Sequence, residues 1–89
     1  MIYEYDENKS QSNKIKHGID FVEAQILWQD AERLEVPARN VSEPRLVVLG
    51  RIGVKLWAAV ITYRGTKIRI ISVRRARQRE VDLYEGRGL

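Results

Sequence analysis

The chain has no cysteine. That removes disulfide scaffolds, thiolate nucleophiles and cysteine zinc sites together. A single histidine argues equally against a histidine-rich metal centre. No apolar run approaches the ~18 residues of a membrane span, and no charged-then-apolar leader opens the sequence. A cytoplasmic protein is the expectation. No paired carboxylates stand at the spacing of a two-metal nuclease. No glycine-rich loop follows a strand, which counts against nucleotide hydrolysis. Neither cofactor nor metal is expected.

What is present is positive charge. Sixteen Lys and Arg face twelve Asp and Glu, for a formal charge of +4 and a pI near 9.7. A positive domain favours RNA, DNA or an acidic protein as partner. Nine of the twelve acids precede residue 64. From Arg64 to Arg79 there are seven basic side chains and no acid: Arg64, Lys67, Arg69, Arg74, Arg75, Arg77 and Arg79. Ile68, Ile70, Ile71 and Val73 thread through this stretch, so it is a buried strand rather than a basic tail. Arginines carried on a strand and the helix after it are held in place, which suits phosphate binding.

The 89 residues are expected to form one domain, residues 1–89. Ile2–Tyr5 alternates as a short strand. Asp6 caps a polar helix over Glu7–His17, ended by Gly18. Asp20-x-x-Glu23 resembles a capping box and opens a second helix bearing Phe21, Ala24, Ile26, Leu27 and Trp28. Leu34–Val36 reads as an edge strand before Pro37, and Ala38–Pro44 as a loop. Leu46–Arg51, Val54–Tyr63 and Thr66–Val73 follow as an antiparallel meander with short turns at Ile52-Gly53 and Arg64-Gly65. A last helix covers Ala76–Glu85. The expected class is α+β, a small antiparallel-dominated sheet with two N-terminal helices and one C-terminal helix.

Several side chains are candidates for chemistry. Simple alternation puts Arg74 on the Ile68, Ile70, Ser72 face and Arg75 on the Arg69, Ile71, Val73 face. Both could instead form surface salt bridges with Glu80 or Asp82. Arg64, in a hairpin turn, gains interest from sharing a strand pair with Arg69 and Arg74. His17 is the lone member of the residue type that ordinarily titrates near neutral pH, a natural proton carrier for transesterification. Its plain alternative is a helix-end histidine meeting the macrodipole. Lys14 and Lys16 add positive potential or simply solubility. Glu80 and Tyr84 stand four apart on one helix face. Glu80 would orient Arg74 or Arg75, and Tyr84 would stack on a base or pack beside Leu83.

The run Tyr5-Asp6-Glu7-Asn8-Lys9, followed by Asn13-Lys14-x-Lys16-His17-Gly18-Ile19-x-Phe21-x-Glu23-Ala24, is similar to the opening of the BrnT toxins. Ile68-Arg69-Ile70-Ile71-Ser72-Val73-Arg74-Arg75-Ala76, with Glu80 and Tyr84 beyond, looks like their closing motif, and Gly50-Arg51 also fits. The resemblance spans essentially the whole chain. It implies a type II toxin–antitoxin ribonuclease of RelE-like fold that cleaves RNA and blocks translation. It also implies a cognate BrnA-like antitoxin with a ribbon-helix-helix DNA-binding domain, the complex repressing its own promoter. By that resemblance His17, Arg64, Arg74, Arg75, Glu80 and Tyr84 are the candidate catalytic positions.

The expectation is metal-independent RNA cleavage. Arg64, Arg74 and Arg75 converge on the scissile phosphate, His17 carries a proton, Glu80 orients an arginine and Tyr84 touches a base. Lys14, Lys16, Lys67, Arg69, Arg77 and Arg79 bind RNA around them. A basic module that grips nucleic acid without cutting it is the alternative. A third reading is a protein whose basic surface docks on an acidic partner.

Overall fold

The computed structural model describes residues 2–38 and 44–86. The first helix, α1 (Glu7–His17), has the expected bounds. Asp6 accepts from the Lys9 N–H at 3.1 Å, satisfying one of the orphan donors of the first turn. Gly18 closes the helix at φ 80°, a left-handed conformation that costs glycine little. The expected loop Ala38–Pro44 lies largely outside the described residues.

The second helix differs from expectation. Residues Glu23–Gln29 wind as a 3-10 helix, with bonds such as Gln25 N–H to Val22 O and Asp30 N–H to Leu27 O. Phe21, Ala24 and Leu27 are all essentially buried, at intervals of three. Three residues per turn puts that period on a single face, where the α-helical period would rotate it away. Asp20 and Glu23 do exchange the reciprocal capping bonds at 2.8 and 3.0 Å.

Among the described residues five strands form one sheet in the order β1-β5-β4-β3-β2: β1 (Ile2–Glu4), β2 (Leu34–Pro37), β3 (Leu46–Ile52), β4 (Lys55–Arg64) and β5 (Lys67–Arg75). The sheet is mixed rather than antiparallel-dominated, because β1 lies parallel to β5, Tyr3 opposite Ile68. A short N-terminal strand gives no sign of its partner, since that pairing spans more than sixty residues. Beyond the end of β1 the edge of β5 is satisfied by a side chain. Asn13, buried on α1, donates to Val73 O and Ile19 O, both at 2.8 Å, and accepts from Val73 N–H at 3.2 Å. The buried residues of α1 are Ser10 and Asn13, while its isoleucine, Ile15, is exposed. Hydrogen bonds, not apolar burial, dock this helix.

The two faces of the sheet are covered unequally. One carries Val48, Trp57, Ala59, Ile61, Ile68, Ile70 and Val73, packed under Ile19, Phe21, Ala24, Leu27 and Trp28. Fully burying a side chain such as Phe21 or Leu27 contributes ~1.5–3 kcal/mol. Gly50 belongs to this contact, since a Cβ there would stand 2.9 Å from a Leu27 methyl and 3.2 Å from its carbonyl oxygen. The opposite face holds a smaller cluster of Val47, Leu49 and Ala58. Leu83 and Tyr84 of the last helix, α2 (Gln78–Tyr84), pack on it, yet no residue of α2 is fully buried.

Candidate functional site

A bulge decides where the arginines go. Val60 pairs with Ser72 and Ile61 with Ile70, so the register skips Ile71. One extra residue reverses the alternation for the rest of β5. Arg74, opposite Ala58, therefore shares the thinly covered face with Val47 and Leu49. Arg75, opposite Trp57, shares the sealed face with Ile68, Ile70 and Val73. Simple alternation had joined Arg74 to Ile68 and Ile70. The doubled Ile70-Ile71, apolar on consecutive positions, is the trace the bulge leaves in the sequence.

Arg74 meets Glu80 in a bidentate pair, at 2.7 and 3.0 Å. Glu80 also accepts from the Arg77 N–H at 2.8 Å, so one carboxylate fixes the arginine and caps the start of α2. Burial pushes the Glu80 carboxyl up, but the Arg74 guanidinium and the Arg77 N–H outweigh it and hold it below the usual carboxylate range. The same bonds to Glu80 raise Arg74 further above its ordinary value. Beside this pair runs a groove of about 930 Å³. Val36, Val47, Val60 and Leu83 form its apolar lining, and Arg45, Arg74, Arg77, Arg79 and Ser72 its polar part. Among the described residues, Glu80 is the one carboxylate that lines it.

The other predicted residues lie elsewhere. Arg75 stacks over the Trp57 ring, 5.5 Å from its centroid, on the opposite face. Arg64 pairs with Lys67 at the far hairpin, six positions along β4 from Ala58 and so roughly 20 Å away. There Arg64 and Arg69 share Glu4, at 3.5 and 3.7 Å. The expected convergence of Arg64, Arg74 and Arg75 on one spot is thus corrected: these arginines occupy two faces and two ends. Lys14 pairs with Glu23 at 2.8 Å. Lys16 and His17 are exposed in the last turn of α1. Among the described residues, no hydrogen bond or ion pair links His17 to Arg74, Glu80 or Tyr84. Tyr84 is one turn beyond Glu80, its hydroxyl donating to Asp30 at 2.6 Å and its ring 5.3 Å from the Arg51 guanidinium.

Arg45, Ser72, Arg51 and Asp30 were not singled out by their residue types. Only Gly50-Arg51 carried a hint, through its place in the motif. Among the described residues no group of three His, Asp or Glu gathers as a metal site, and no helix is long and apolar enough to cross a membrane.

The protein-family description "ribonuclease toxin, BrnT, of type II toxin-antitoxin system" matches residues 5–80. The chain belongs to the BrnT family. No curated protein matches it. The match includes Arg74 and Glu80 and stops short of Tyr84. Membership makes the chain a ribonuclease toxin whose system supplies an antitoxin.

Proposed function

We propose that this BrnT-family toxin works as one domain in the cytoplasm, cleaving RNA without a metal in the groove beside α2 and so arresting translation. The observation that carries the reading is the cluster of Arg74, Arg77 and Arg79 beside an apolar trough where, among the described residues, Glu80 is the lining carboxylate and is already committed to Arg74. Phosphates suit the guanidinium rim, and unstacked bases suit the aliphatic lining.

An incoming phosphate competes with Glu80 for Arg74. Once Arg74 turns to the phosphate, Glu80 loses the partner that holds its carboxyl down, while burial continues to push it up. It then becomes a better base and takes the 2′-hydroxyl proton. The 2′-oxygen attacks phosphorus, the bond to the 5′-oxygen breaks, and that oxygen is protonated by water. Arg74 and Arg77 offset the charge growing on the phosphoryl oxygens. His17 is assigned no step, and His17→Gln is expected to slow cleavage by less than about threefold, against the ~10²–10⁴ of a general acid or base. Neutralisation by a BrnA-like ribbon-helix-helix antitoxin is part of the same proposal, supported by membership in a toxin–antitoxin family.

The test is purified protein with labelled RNA and a chelator. Fragments ending in 2′,3′-cyclic phosphate are expected. A requirement for added metal would overturn the mechanism, and RNA bound but uncut would favour the non-catalytic binding module.

A further inference from the structure

The last helix is short and weakly buried, yet it borders the groove. None of its seven residues is fully buried, and the apolar cluster beneath it is small. Polar ties hold both of its ends. At the start, Glu80 joins Arg74 and the Arg77 N–H. At the finish, the Tyr84 hydroxyl donates to Asp30 at 2.6 Å, and Glu85 pairs with Arg51 at 3.3 Å. Asp30 is itself immobilised, accepting from the Arg51 N–H at 2.8 Å and the Glu32 N–H at 2.9 Å. One carboxylate therefore ties β3, the segment after the 3-10 helix, and α2 together. It does not line the groove.

We propose that Asp30, acting through Tyr84, is a positioning residue that sets the angle of α2 and thereby the placement of Arg74 and Arg77 toward RNA. The inference rests on the groove being the RNA site. The family match ends at residue 80, so the Tyr84 half of this clasp lies outside the matched segment. Cutting the Asp30–Tyr84 tie removes the 2.6 Å bond at the C-terminal end of α2 and leaves the exposed Arg51–Glu85 pair there. Glu80 and Arg77 would then shift with the helix, and the Arg74 side chain, anchored on β5, would lose its fixed partner.

The experiment measures affinity for a 2′-O-methyl RNA oligonucleotide, which lacks the hydroxyl needed for cleavage, at one fixed salt concentration. Asp30→Ala and Tyr84→Phe are each expected to weaken binding about fivefold, and the double variant no more than either alone, as residues sharing one interaction behave. Asp30→Asn, which keeps an acceptor oxygen, should recover most of the loss. In a background carrying Arg74→Ala and Arg77→Ala, neither change should matter by more than about twofold. A merely structural role would not produce that dependence on the arginines. Wild-type affinity in both single variants overturns the proposal, as does an equal loss with the two arginines already gone. If the arginine background itself binds RNA like wild type, the groove reading fails and the clasp falls with it.

Discussion

The two faces of this sheet do different work. One is sealed by Phe21, Ala24, Leu27 and Trp28 and has hardly any polar group in its core. The other carries three buried apolar strand residues, a helix with no buried residue, and a groove rimmed with arginine. Adjacent residues divide between them: the Arg75 guanidinium sits over the Trp57 ring on one side, while Arg74 is held by Glu80 on the other. A fold this small keeps its stability on one surface, which leaves the second free to present unburied charge. Arginine density along the chain is therefore a poor guide to a site, and the face each arginine occupies is a better one.

If that division is right, the largest stability losses come from the sealed face. Leu27→Ala should cost about 2–5 kcal/mol in denaturant unfolding. Gly50→Ala should cost ~1–3 kcal/mol, because the new methyl meets Leu27 side chain and backbone closer than contact distance. A neutral Gly50→Ala would show that the seal is looser than drawn. Asn13→Ala removes the partners of the Val73 backbone and Ile19 O and should cost ~1–3 kcal/mol, measured the same way.

The open face should respond to acid. Asp30 and Glu80 both sit below their ordinary values; burial raises each, and hydrogen bonds from Tyr84 and Arg74 respectively outweigh it. Both carboxyls bind protons less readily folded than unfolded. Their contribution is thus full above the unfolded values of about 3.9 and 4.3 and is lost as pH falls through the folded ones. Denaturation midpoints should drop between about pH 5 and pH 3, and the drop should be shallower in Glu80→Gln. An unchanged acid slope in that variant would separate Glu80 from the effect. The smallest effect is expected at the far hairpin, where the Arg64 side chain is 61% exposed. Arg64→Ala should alter stability by less than about 0.5 kcal/mol.

How much of this was readable in the sequence depends on range. α1 was legible because its signals are local: Asp6, the polar run and Gly18 all act within one turn of its ends. The Arg74–Glu80 pair was legible as one of several options, being six residues apart. The parallel β1 was not, because a three-residue strand does not specify a partner. The reversal of Arg74 was missed because alternation was extended through Ile71, where the ladder skips a residue. Asp30 and Tyr84 are 54 positions apart, and neither residue type announces the other.

The central claim is that cleavage belongs to the face of Arg74 and not to that of its neighbour. Cleavage of one labelled RNA in chelator, by folded Arg74→Ala and Arg75→Ala proteins side by side, tests it most directly. Losing Arg74 should slow the reaction by roughly 10²–10³, as expected for a lost donor to a charged transition state, and losing Arg75 by only a few-fold. A crippled Arg75→Ala beside an active Arg74→Ala would place the chemistry on the sealed side and contradict the account.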